Sequence, residues 1–268
     1  MRKLIIYLCI MSFNFVLSQV DSNYFRFYGG SAYTLKPHYF KYSLIEESEY
    51  GISKNLSIVG HPIMLFLSPS LSLKYNLFKK NNLSISSIHG FNYPTLLMNM
   101  VKTKGTGGFI SPEFSIPHLF SIRNSIISTI AFEEKLFLNG SIGIDIALNN
   151  SKLEPGTSID LPIILPRSMV YYKNIGFILN IGVEGSLSRN FQFQCESEIF
   201  IFPIEDDKYD YEYQETSNSF FAEISSNVFW NITNTFSLGA GTRLCFGNYP
   251  FGSQWHLLPF IDFVKYIE

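Results

Sequence analysis

Cysteine is scarce in this chain of 268 residues, with three in all, and so is charge: Asp, Glu, Lys and Arg make up only 16%. So few cysteines exclude a disulfide-stapled scaffold, and a formal net charge of −2 argues against nucleic acid as a partner. Beyond the N-terminal stretch, no segment approaches the ~18 consecutive apolar residues that signal a membrane helix. Yet 46% of the residues are hydrophobic, and Phe and Tyr occur 26 and 16 times. That apolar content is delivered by alternation with polar residues, which excludes a helical membrane protein and favours a β one.

The N-terminus holds Arg2 and Lys3, an apolar stretch from Leu4 to Leu17, and small Ser18 before Gln19. This reads as a secretory signal peptide over 1–18, because the run is shorter than the ~20 residues that cross a bilayer. The expected domains are that leader and one β-barrel over 19–268, with no linker or low-complexity stretch dividing them.

The clearest unit is the hairpin from Asn174 to Phe202. Ile175, Phe177, Leu179, Ile181 and Val183 share one face of its first strand, with Asn180, Glu184 and Ser186 on the other. In its second strand Phe191, Phe193, Cys195, Ile199 and Ile201 oppose Gln192, Gln194, Glu196 and Glu198. Apolar side chains backed by amides and carboxylates fit a sheet between lipid and a wet lumen. The same alternation runs through 137–148, 219–230 and 236–247, where inner glycines leave room for long side chains opposite. Cys195 and Cys245 fall on opposite faces, so two free thiols are expected.

Short polar turns carrying Asn recur at Ile52–Leu56, Leu77–Leu83, Leu187–Phe191 and Trp230–Phe236, with a weaker case at Phe132–Phe137. They alternate with longer connections, the pattern of periplasmic turns and outer loops. The fold expected is an all-β, transmembrane antiparallel up-and-down barrel of about twelve strands, within a range of roughly 10–14. Its strands are predicted at 24–35, 39–52, 56–66, 70–78, 83–92, 122–132, 137–148, 173–187, 191–202, 219–230, 236–247 and 255–266. The fifth shows a break of phase at Ser86-Ser87, read as a bulge or a misplaced strand boundary. Two aromatic girdles are expected, with Phe191, Trp230 and Phe236 at one rim and Tyr171, Tyr172, Phe200, Phe202, Phe220, Tyr249 and Trp255 toward the other.

The leader ending Phe15-Val16-Leu17-Ser18-Gln19, the hairpin from Glu49 to Ser57 and the alternating strands to the C-terminus together resemble the outer-membrane β-barrel proteins of Bacteroidota. The resemblance implies location and architecture: an outer membrane, lipid and lipopolysaccharide around the barrel, and insertion machinery during biogenesis. It departs from the common pattern at the C-terminus, where Tyr266 is followed by Ile267-Glu268.

Chemistry is harder to read. Lys74, Arg123, Glu133, Asp145, Glu184, Gln192, Gln194, Glu196, Glu198, Glu223, Arg243 and Asp262 are predicted to line the lumen, and their acid surplus favours a small polar or cationic solute. Whether they frame an open pore or pair into a closed polar core is left open. His38, His61, His89, His118 and His256 are candidates for a lipid hydrolase of the barrel's exterior; His38 and His61, near Ser68 and Ser70, come first, but no motif supports them. No His or Cys pair has metal-ligand spacing, so neither metal nor cofactor is expected. The acidic run Glu205–Glu215 reads as a solvated outer loop or partner surface. Gly105–Gly108 lacks the context of a phosphate cradle. The apolar stretch Tyr93–Val101 is expected either to fold inward, as a constriction or short helix, or to pack at the rim. The expected function is a passive channel or binding protein for such a solute; a lipid hydrolase or acyltransferase, or an adhesive barrel acting through its outer loops, is the alternative.

Overall fold

In the computed structural model, which describes residues 27–62, 64–102, 110–132, 135–149, 153–154, 157–203, 220–249 and 252–268, twelve strands close into one antiparallel up-and-down barrel. They are β1 (Phe40–Ser43), β2 (Ser48–Ser53), β3 (Leu56–Gly60), β4 (Ser70–Lys80), β5 (Leu83–Asn92), β6 (Ser121–Phe132), β7 (Leu136–Ala147), β8 (Ile175–Ser186), β9 (Phe191–Ile201), β10 (Phe220–Asn231), β11 (Phe236–Tyr249) and β12 (Gly252–Ile267). Each pairs with its neighbour in sequence, and β1 closes on β12 through Phe40↔Ile267 to Ser43↔Val264. Among the described residues, four short helices lie in the connections: α1 (Met64–Leu67), α2 (Thr95–Val101), α3 (Leu165–Ser168) and α4 (Val170–Lys173). The proposed leader, Glu133, Gly105–Gly108 and the 205–215 run lie outside the described residues.

From β6 onward the strands fall close to their predicted places; the first two do not. Residues 27–35 form no strand, and residues 39–52 are two strands broken at 44–47. The two errors offset each other, which preserves the count of twelve. The break has a visible cause: Asp262 Oδ1 accepts hydrogen bonds from the backbone N–H groups of Leu44 (2.9 Å) and Ile45 (3.0 Å), which turns the chain out of the ladder. The turns at 54–55, 81–82, 187–190 and 232–235 gather at one end, with Asn81 in the left-handed conformation that a two-residue turn needs (φ 52°). The opposite end carries the longer connections, and there Tyr249 of β11 pairs with Gly252 of β12.

The phase break in β5 is also corrected. Ser86↔Asn76 and Ile88↔Lys74 keep β5 in register, and the irregularity sits across the hairpin in β4, between Asn76 and Phe78. Asn76 is the reason: its side-chain amide turns inward to the Ala32 carbonyl (3.0 Å) and to the hydroxyls of Ser84 (2.8 Å) and Ser86 (3.1 Å). Ser87 and His89 therefore lie on the outer face.

That outer face is otherwise apolar and uncovered: Ile142, Ile181, Leu257 and Ile261 are each about 60% exposed or more. The inner face is packed. Glycines there let aromatic rings lie flat on the neighbouring strand, because a Cβ at Gly239 would collide with Phe229, one at Gly247 with Phe221 and one at Gly176 with Phe202. The upper girdle needs correction for the same reason. Phe200 and Tyr249 continue the inner rows of β9 and β11, and Tyr171, Tyr172 and Phe202 pack with them beneath the connections, whereas Phe220 and Trp255 do face outward. At the short-turn end Phe191 and Trp230 stack on the exterior as a rim pair (6.3 Å).

Gly239→Val is expected to lower stability by about 1–3 kcal/mol, the usual cost of overpacking a filled interior. The check is a lower denaturant midpoint in detergent, with Ala240→Val on the outer face left near wild type.

Candidate functional site: the filled lumen

Three layers occupy the interior. The lowest, near the short-turn end, is the chain's own segment 27–35, which crosses the barrel from the β10–β11 wall to the β2–β3 wall. Tyr28 lies flat on Phe229 (centroids 3.7 Å apart, 2° between planes), and its hydroxyl donates to Asn231 Oδ1 at 2.5 Å. The Tyr28 and Gly29 N–H groups donate to the two oxygens of Glu184, at 3.0 and 3.2 Å. Farther along, Ala32 N–H donates to Thr129 Oγ1 (2.8 Å), and Leu35 N–H to Glu49 Oε1 (3.2 Å). Lys74 donates to the Ser31 carbonyl (3.4 Å) and pairs with Glu49 (2.7 Å). A Cβ at position 29 would stand 2.5 Å from Gln194 Nε2 and 2.9 Å from Glu184 Oε1, so both side chains would have to shift. The segment's backbone groups, which a strand would satisfy on a neighbouring strand, are satisfied here by side chains of the wall.

Above it lies the charged layer. Arg167, at the end of α3, makes a forked pair with Glu223 (Nη1–Oε1 2.5 Å, Nη2–Oε2 3.1 Å) and reaches Glu198 at 2.7 Å. Burial alone would loosen its proton, but Glu223 and Glu198 outweigh that and hold the guanidinium above its usual range. Arg243 joins Glu46 at 2.8 Å and comes within 3.6 Å of Glu223. Burial pushes the Glu46 carboxyl upward, with Arg243 opposing. Arg123 pairs with Asp145 at 3.0 Å. Between Gly30, Asn139, Gly182, Glu184, Gln194 and Glu196 the packing leaves no room for a water molecule.

The top layer is apolar. Met98 of α2, Ile110, Leu119, Leu153, Ile159 and the α3–α4 residues Leu165, Met169, Val170 and Tyr171 pack against Ile178, Phe200, Phe202, Phe221 and Tyr249 of the wall. Tyr93–Val101 thus contributes a short helix whose Met98 enters this cap while Leu96 and Met100 stay exposed.

The lumen residues expected from sequence are on the inner face wherever they are described, and each has a partner. Gln192 accepts from Asn231 (3.1 Å), Gln194 donates to Glu196 (2.9 Å), Glu196 is bonded by Asn180, and Asp262 accepts from Ser43 Oγ (2.5 Å). Sequence reasoning missed Arg167, Glu46, Glu49 and Lys41. Arg167 stands in a connection with no period to announce it. Lys41 and Glu49 alternate with Phe40, Tyr42 and Tyr50, a signal hidden by treating 39–52 as one strand.

The histidines scatter. His38 sits in the turn before β1, at the short-turn end, while His61 follows β3 at the other, so the pair favoured from sequence does not form. His61 is held by backbone on both ring nitrogens: Nδ1 accepts from Met64 N–H (3.2 Å), and Nε2 donates to the Ile45 carbonyl (3.0 Å). Its former companion Ser68 donates to Asn92 (2.9 Å). His118 meets the Tyr93 hydroxyl (2.7 Å), and His256 is on the inner row of β12. His89 faces outward and bonds Asn124 on the next strand. Cys195 and Cys245 are free. Among the described residues no cluster has the make-up of a metal site.

No family model matches the chain, and no curated protein matches it. Among solved structures it is similar to the crystal structure of the outer membrane channel DcaP of Acinetobacter baumannii, with a TM-score of 0.40 and 10% identity over 82% of this chain. The matched part is 60% of the length of that channel, and a likeness of this degree says nothing about function.

Arg167→Met is expected to destabilise the barrel by roughly 2–4 kcal/mol, somewhat under the cost of breaking a fully buried pair because Arg167 is about one-third exposed. Adding Glu223→Gln should recover part of that loss. Denaturant midpoints of the two single variants and the double variant give the coupling.

Proposed function

We propose that this protein is an outer-membrane β-barrel that is closed at rest and admits small polar or cationic solutes when segment 27–35 and the α3–α4 cap above it leave their places in the lumen. The membrane setting is supported by the wall itself: an apolar exterior around a polar interior is the inverse of a water-soluble protein and the arrangement lipid requires. Export through a leader over 1–18, a Bacteroidota-type origin and contact with lipopolysaccharide belong to the same proposal.

One observation carries the closed state. The lower lumen is filled by a segment bound mainly through hydrogen bonds to Glu184, Thr129, Glu49 and Lys74, groups that would otherwise face water. Such contacts can be exchanged for water or for a polar solute at little net cost, unlike a hydrophobic plug. With the segment gone, Glu184, Glu49 and Glu196 would line the passage, and this acid surplus prefers cations.

In planar bilayers the full chain should be silent or open only briefly, and Tyr28→Ala combined with Glu184→Gln, in an Arg167→Met background that releases the cap, should conduct, with cations favoured. A steady conductance from the unaltered chain would overturn the closed lumen. Silence from that variant, if it still folds into a heat-modifiable barrel, would overturn the role given to segment 27–35 and the cap.

A further inference from the structure

The apolar exterior has a polar exception that the lumen does not explain. The outer row of β5 reads Leu83, Ile85, Ser87, His89, Phe91, and His89 pairs across the ladder with Asn124 of β6. His89 Nδ1 stands 2.7 Å from Asn124 Oδ1. Around them Leu73, Tyr75, Phe91, Ile122 and Ile126 are exposed apolar residues of the same wall. A polar side chain on a lipid-facing surface is costly, and pairs kept there point to function by default.

The chemistry of the pair is specific. With the carboxamide oxygen of Asn124 accepting, Nδ1 carries the ring proton and Nε2 is left with its lone pair, the tautomer that a general base needs. Ser87 is on the same face of the same strand, two residues away, at a Cα separation of about 6.8 Å; it is only 6% exposed, so its hydroxyl has to be uncovered by movement of its neighbours before it can react. Turning the two side chains toward each other brings a hydroxyl and a base together; in enzymes at rest that contact is often long and tightens on substrate. His89 lies only three residues from the end of β5 that leads into the long 93–120 connection, so the group sits near a rim, where ester bonds of a lipid headgroup region are found.

We propose that Ser87, His89 and Asn124 form a hydrolytic site for acyl esters of membrane phospholipid. Ser87 Oγ forms a bond to the ester carbonyl carbon as its proton passes to His89 Nε2. The oxyanion then collapses, the acyl C–O bond breaks, and the departing alkoxide takes that proton. Water gives a proton to His89 as it attacks the acyl-Ser87 ester, and the returning proton regenerates the serine while a fatty acid leaves. Ser87 and His89 are the catalytic residues. Asn124 is a positioning residue that fixes the tautomer and orientation of the ring.

The full chain, purified in detergent, would be given phosphatidylethanolamine in mixed micelles, with fatty-acid release and labelling by a fluorophosphonate as readouts. Release is expected, together with an adduct located on Ser87 by mass spectrometry. Ser87→Ala and His89→Ala should each lower kcat by roughly 10²- to 10⁴-fold. Asn124→Ala should lower kcat with KM unchanged, and Asn124→Asp, which keeps an acceptor oxygen opposite Nδ1, should recover part of it. Heat-modifiable migration of each variant confirms that the barrel has formed. A folded full chain that neither releases fatty acid nor reacts with the fluorophosphonate overturns the proposal, as does activity that survives Ser87→Ala.

Discussion

Closing twelve strands around a narrow interior presses inward charged groups to find a partner within a few ångströms, because there is no room for bulk water and a buried unpaired charge is expensive. Glu184 shows how this constraint organises the molecule. Its two oxygens take the N–H groups of Tyr28 and Gly29, and Asn139 donates to it from the next strand at 3.1 Å. The wall needs donors and segment 27–35 needs acceptors, and each supplies the other. The forked Arg167–Glu223 pair meets the same need higher up, and in doing so it draws the 148–174 connection down into the barrel. The apolar cap then follows from where Arg167 has pulled α3.

The exterior obeys the complementary rule. In the lipid setting proposed above, exposed backbone polar groups must be satisfied within the ladder, and side chains must be largely apolar. The closed pairing of β1 with β12 leaves no long open edge at the base of the barrel, and the outward rows are mainly Leu, Ile, Phe and Val, with a few polar positions such as the Cys195–Ser226 contact. Against that background Ser87, His89 and Asn124 stand out more sharply than they would on a water-soluble protein, where polar surface is ordinary. Interior and exterior therefore raise separate functional questions, passage through the lumen and chemistry at its outer wall, and the two can be tested independently.

Much of the wall was legible as alternation. In β7 to β12 the polar and apolar rows separate cleanly, since strands with one face in lipid have only one register that keeps apolar side chains outward. Residues 27–35 misled because their Phe, Tyr and Gly content is strand-like, while their hydrogen bonds go to Thr129, Glu184 and Glu49, far away in sequence. His89 was in view but misplaced: a break of phase at Ser86-Ser87 takes the outer row of β5 out of register, whereas the irregularity is in β4 and follows from Asn76 turning inward. The partnership with Asn124 required the β5–β6 register, across the whole 93–120 connection.

The sequence by itself determined that this chain builds an antiparallel barrel, apolar outside and polar inside, with its turns gathered at alternate ends. Those properties are local, set by a period of two and by turn chemistry. The tertiary structure decided what fills the barrel and what meets on its outside. A plug, an ion pair from a helical connection and a histidine facing an asparagine are all contacts between residues distant in the chain, and no local pattern encodes the distance between them.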